Sequence, residues 1–329
     1  MGLKKLFLAV GLLITSLQAG EYADAFILAS VYPQSQSLGN STVASHILTG
    51  HALNNPAGFA HLPRNHVSLI YDQFNGLTNN YGLEAQISVS ENYIFGLSAI
   101  HTSIEDLFFR PDLNSLSPLD RRDSVLALAN INGEIINYRE DAIFLSIARE
   151  YSFDLNLGWK FFKIPFRVPI GFTLKYLDKL LVDNRGLGSG IDFGSQIYFN
   201  FAGMSKILSN TEYSVGLFLS DILNTPVYWD TEHQDAIKRN FTRGFTLHQT
   251  LPKYSTEILL SSSSQSRYPE ISQYGLEVKV KEMVAIRAGH NGYIPSFGLG
   301  ISLKKFIIAY SFSQHDLAGM QNIEINFHF

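Results

Sequence analysis

Side chains that do chemistry are present in number but not in pattern. The 329 residues include ten histidines and 29 carboxylates, yet no Gly-x-Ser-x-Gly elbow, no His-Glu-x-x-His run and no cysteine. His46, His51 and His61 fall near one another at spacings that match no zinc pattern, so they read as solvated or packing residues. Lys175, Asp192 and Arg287 stand singly in alternating segments, which is more often a structural charge lattice than an active site. The reading is therefore of a non-enzyme with no metal and no cofactor. The lack of cysteine excludes a disulfide scaffold and thiol chemistry together. A formal charge of −4 with no basic cluster gives no sign of nucleic acid.

The elements that must position these side chains are strands. Residues 321–329 alternate strictly: Ile323, Ile325, Phe327 and Phe329 share one face, and Asn322, Glu324, Asn326 and His328 the other. Tyr81–Ser90 repeats the pattern over ten residues, whereas an average soluble strand has about five or six and a bilayer crossing takes about nine to eleven. Further runs lie at 67–71, 93–99, 143–148, 170–176, 191–199, 213–219, 241–247, 254–260, 274–280, 284–288, 297–303 and 306–312. With the last strand these make roughly fourteen, an even number as bacterial barrels require. The predicted fold is an all-β, transmembrane antiparallel barrel. Its short connections follow even-numbered strands, and the long ones, 104–141 and 221–237, follow odd ones. Two connections, 151–168 and 201–211, are longer than that scheme expects. The first contains Phe161-Phe162-Lys163-Ile164-Pro165-Phe166, either an interfacial aromatic segment or a strand extension.

The amino-terminal region agrees. Lys4 and Lys5, an apolar run from Leu6 to Leu17 and small residues around Ala19-Gly20 read as a signal peptide over 1–19, cleaved near 19–20. The expected location is the outer membrane of a Gram-negative-type bacterium, with outer-membrane lipid as the surroundings. A mean hydropathy of +0.04 suits a chain whose strands face hydrocarbon on one side and a polar lumen on the other.

Parity assigns Glu84, Lys175, Asp192, Glu277, Lys279, Arg287 and Glu324 to the lumen face. On the lipid face each basic residue near the midplane would cost up to about 2 to 4 kcal/mol. Arg243 shares parity with the outward Phe241 and Phe245, which puts it near a headgroup region or at a bulge. Outward Leu276, Val278 and Val280 must pair with outward residues of the next strand, and Val284, Ile286 and Ala288 share their even parity, so the joining turn holds an odd number of residues. Lys281-Glu282-Met283 sets Glu277 opposite Arg287.

Ahead of the first strand stands Asn54-Asn55-Pro56-Ala57-Gly58. By composition alone it is a turn. With Gly171-Phe172-Thr173-Leu174-Lys175-Tyr176-Leu177, Gly188-Ser189-Gly190-Ile191-Asp192-Phe193-Gly194 and Asn224-Thr225-Pro226-Val227-Tyr228-Trp229-Asp230, it resembles the PorV/PorQ branch of the FadL-like outer-membrane superfamily. The chain departs from that pattern at Asn40-Ser41-Thr42-Val43 and His46-Ile47-Leu48-Thr49. The resemblance implies a hatch over 20–64 folded into a barrel over 65–329, with Asn54 and Asn55 bonded to inward-facing backbone. It further implies either a component of protein secretion that binds exported cargo or other secretion components, or a passive transporter of a small hydrophobic molecule. Phe327 and Phe329 likewise resemble the terminal signal read by the barrel-assembly machinery.

Overall fold

The computed structural model describes residues 31–45, 47–61, 65–74, 78–90, 93–104, 113, 115–128, 136–156, 158, 163–201, 210–266, 270–314 and 319–329. The expected signal segment, the start of the hatch segment, His46, Phe161 and Phe162 lie outside these residues.

Alternation produces strands, and the strands close on themselves. Seven come first: β1 (His66–Phe74), β2 (Thr78–Ser88), β3 (Ile94–Ile104), β4 (Tyr138–Asn156), β5 (Lys163–Leu181), β6 (Asn184–Asn200) and β7 (Thr211–Ser220). A short hairpin of β8 (Thr225–Trp229) and β9 (Gln234–Ile237) follows. Seven more complete the set: β10 (Asn240–Leu251), β11 (Thr256–Gln265), β12 (Ile271–Val280), β13 (Val284–His290), β14 (Pro295–Leu303), β15 (Phe306–Gln314) and β16 (Gly319–His328). Neighbours pair antiparallel in chain order except that β7 passes to β10, and β16 pairs with β1 from His66↔His328 to Phe74↔Met320. Fourteen strands thus form a closed barrel with no free edge.

Every alternating run read from the sequence falls on one barrel strand, with differences at the ends. β2 starts at Thr78 and stops at Ser88, and Tyr254 belongs to a short 3-10 turn ahead of β11. Residues 151–156 and 163–168 of the longer connection are strand extensions: β4 and β5 run 19 residues each and pair as far as Asn156↔Lys163. The long 104–141 connection holds a helix (Pro118–Leu128) that periodicity did not announce. Its start is a local signal: Ser117 accepts the Asp120 N–H at 3.4 Å, and Pro118 follows the cap.

The two faces differ as lipid and lumen demand. Outward Leu69, Leu145, Leu174, Ile286, Phe297 and Leu299 are all more than half exposed, a greasy surface that water would not tolerate in bulk. Inward Glu84, Gln86, Ser98, Thr173, Gln196 and Asn326 are buried at 1 % exposure or less. This is a transmembrane barrel of the outer-membrane type. Arg243 lies on the outer face near the rim, paired with Glu270 at 3.6 Å, so no bulge is needed there. The short turns at 89–93, 281–283 and 304–305 mark the periplasmic end by the rule for such barrels.

Candidate functional site

The candidate site is the lumen, where residues 31–61 press on the wall. They form α1 (Pro33–Ser37), α2 (His51–Asn54) and α3 (Gly58–His61) joined by irregular chain. α1 packs on β13 to β16, and α3 on β3 to β5.

What lets irregular backbone sit so close is a belt of inward glycines. A Cβ on Gly171 would lie 2.4 Å from the Pro56 carbonyl carbon, on Gly194 1.9 Å from Asn55 Oδ1, and on Gly216 2.2 Å from the Val43 oxygen. The same holds for Gly244 against Val43, Gly275 against Leu38, Gly289 against Gly39, Gly298 against Ser37 and Gly96 against Phe59. Gly171 pairs with Gly194, Gly216 with Gly244, and Gly275 with Gly289, so the gaps are adjacent in the sheet. Sequence reading noted small inward residues but missed that they form one track. The signal was there, as glycine inside strands marks close backbone approach.

Backbone brought this close must find partners. Asn55 Nδ2 donates to the carbonyls of Val43 (2.8 Å), Ser195 (3.2 Å) and Leu217 (3.3 Å), and its Oδ1 accepts from Ala57 N at 3.1 Å. Asn54 does not reach the wall: it donates to Gly50 O at 2.9 Å and accepts from Ser35 at 3.2 Å, because its place at the end of α2 turns it back on its own segment. Gly50, at φ 82°, turns its N–H onto both oxygens of Glu84 at 3.1 and 3.2 Å. Gln196 donates to Val43 O at 2.9 Å, Ser214 to Ala44 O at 2.6 Å and Gln86 to Phe59 O at 3.2 Å. Ser41 meets Ser261 at 2.6 Å, and Ser45 meets Thr246 at 3.0 Å. Gly58 has another use, since a Cβ there would lie 2.3 Å from His51 Nδ1.

The other lumen charges lie in separate groups. Lys175 Nζ is 2.9 Å from Asp192 and 2.5 Å from Asp221. Asp221 enters the lumen because residues 221–224 form an irregular step between β7 and β8, with Asp221 and Asn224 both at φ 55°. Its N–H also donates to Asp192 at 2.7 Å. Glu277 stands opposite Arg287 and the two form an ion pair, while Lys279 reaches Glu257 at 3.8 Å. Glu324 is buried at 3 % exposure. At the end of α3, His61 stacks on Tyr198 at 4.2 Å, and its Nδ1 lies 3.8 Å from Glu150. Phe327 and Phe329 are at the outer face, where Phe327 meets Phe306 at 5.0 Å and Phe329 N donates to Asn65 O at 3.1 Å.

Between residues 40–54 and the wall a cavity of about 300 Å³ remains. Val43, Leu53, Phe144, Phe218 and Ile237 give it apolar walls, and Lys175, Asp192 and Asp221 line one side. Asn291 and Tyr293 of the β13–β14 loop stand at its extracellular end. Among the described residues no group of three or more potential ligands is arranged to hold a metal.

No protein-family model matches the chain, and no curated protein matches it. Among solved structures, the chain is similar to the Pseudomonas putida toluene transporter TodX at 10% identity, over 89% of this chain and 95% of that one, with a TM-score of 0.41. A Pseudomonas aeruginosa FadL homologue is similar at 10% identity over 85% and 94%, TM-score 0.38. The Acinetobacter baumannii outer-membrane protein Omp33 is similar at 8% identity over 81% and 98%, TM-score 0.37. The barrel assignment stands on the closed strand pairing itself.

Proposed function

We propose that the protein is an outer-membrane barrel with residues 31–61 as its hatch, and that it captures a small, mainly hydrophobic molecule from outside for passage across the membrane. The observation that carries this is the 300 Å³ cavity between hatch and wall. Its lining joins apolar Phe144, Phe218 and Ile237 to a larger polar set that includes Asp192, Asn240, Thr242, Gln265 and Gln273, and a concave site with apolar walls and convergent polar groups suits a small amphipathic molecule. Lys175, Asp192 and Asp221 then meet the polar end of the ligand, and Phe144, Phe218 and Ile237 its apolar body. Passage requires the hatch to shift, since Asn55 and the glycine belt hold it against the wall. The test is saturable binding of the hydrophobic fluorophore N-phenyl-1-naphthylamine to purified protein. Ile237→Trp, which fills the cavity, should abolish binding while heat-modifiability on a gel is unchanged. Equal binding by both proteins would refute the assignment.

A second reading, a secretion component of the PorV/PorQ kind, is favoured by a different observation. The four segments that carry that resemblance touch one another. Asn55 and Pro56 lie on Gly171 and Gly194, and a Cβ on Gly190 would meet both Thr225 and Lys175. On this reading the hatch stays shut and the barrel holds exported cargo at its rim. Loss of exported proteins from the medium of a deletion strain, with uptake of hydrophobic compounds unaltered, would favour it over the first.

A further inference from the structure

Arg149 is on the wrong side of the wall for an arginine. It shares parity with Ile143, Leu145 and Ile147, which are 44, 57 and 37 % exposed on the lipid face of β4. Ala148 pairs with Ile94, where β3 begins, so Arg149 stands level with the turn at 89–93, at the periplasmic margin of the membrane. The other strand arginines described on the outer face each have a carboxylate: Arg243 has Glu270, Arg139 has Asp141, and Arg185 has Asp178. Among the described residues none pairs with Arg149. Its sequence neighbour Glu150 has the opposite parity and faces His61 in the lumen.

Arg149 is held by aromatic rings instead. Its guanidinium carbon lies 5.0 Å from the Tyr93 ring centre and 4.7 Å from that of Tyr151, and Nη1 donates to the Tyr93 hydroxyl at 3.0 Å. Nε is buried and takes no hydrogen bond, so the guanidinium can meet a group outside the protein only through its Nη atoms. A cation at the membrane margin with no carboxylate beside it is free to take an anion from the headgroup layer. A guanidinium presents forked donors that match a phosphate, and the Tyr93 hydroxyl, having accepted from Nη1, still has its own proton to give. Toward the midplane the wall continues as the cross-strand pairs Phe95–Ile147 and Leu97–Leu145, all exposed and apolar.

We propose that Arg149, Tyr93 and Tyr151 bind the phosphate of one phospholipid of the periplasm-facing leaflet, with its acyl chains along Phe95, Ile147 and Leu145. The site is separate from the lumen and does not depend on what the cavity binds. It is tested by native mass spectrometry of the whole protein in mild detergent, titrated with phosphatidylglycerol. The wild-type chain should retain one lipid, and R149Q should weaken retention about ten-fold, the effect of losing a charge-assisted contact. Y93F, which keeps the ring and drops the hydroxyl, gives a second variant should R149Q fail to fold, and it should also weaken retention. Diacylglycerol, which has no phosphate, should not be retained. Equal retention by R149Q or Y93F and wild type, equal retention of diacylglycerol, or full displacement by millimolar inorganic phosphate would each overturn the lipid site, the last by showing a site for free phosphate.

Discussion

Asn54 and Asn55 are adjacent and chemically identical, yet only one ties the hatch to the barrel. Asn55 serves three carbonyls, two of them on the wall, so removing its amide leaves buried acceptors unsatisfied at a cost of about 1 to 3 kcal/mol. Asn55→Ala should therefore raise the rate of proteolysis within residues 31–61 in detergent while the barrel stays resistant, and Asn54→Ala should do so less. Gly194→Val should have the larger effect, because its side chain would occupy the space of Asn55 Oδ1. Sequence reading could find the motif but not divide its labour, since which asparagine faces the wall depends on where α2 ends. The inward charges were legible because a strand has a strict period of two. The Lys175 cluster was only half legible: Asp221 reaches it through the irregular step after β7, which has no period to read.

At the scale of elements, the β12–β13 hairpin follows from parity alone. The outward valines fix an odd turn, Lys281 and Glu282 take positive φ, and Glu277 comes to face Arg287. Removing one partner of a buried pair costs about 3 to 5 kcal/mol because the other charge is left uncompensated, and reversing it adds repulsion. Arg287→Glu should accordingly lower the temperature of heat-modification, and the double variant E277R/R287E should recover most of the loss. A double variant no better than the single would show that the two charges do not act on each other. The β8–β9 hairpin and the loop helix escaped sequence reading because each is short and sits inside a connection. β8 extends the sheet upward by pairing Gly186–Gly188 with Val227–Trp229, a match that only the fold brings together.

For the whole molecule, closure and filling belong together. Residues 31–61 are bonded to strands all round the lumen, so the intact protein in a planar bilayer should show no steady conductance. Deleting residues 31–61 should open a pore, and a deletion variant that inserts but stays silent would mean that something else blocks the lumen. Fourteen strands and an apolar outside were plain in the sequence, because lipid and water sort side chains by parity over long runs. How the hatch lies was not, since irregular chain follows no period and is shaped by the surface it meets. The seam between β16 and β1 adds a matter of timing. α1 leans on β13 to β16 and α3 on β3 to β5, so residues 31–61 bridge the last-made and first-made parts of the wall. Residues 31–61 complete their contacts only when both parts of the wall are present, so packing of this segment and closure of β16 on β1 should be coupled steps of assembly.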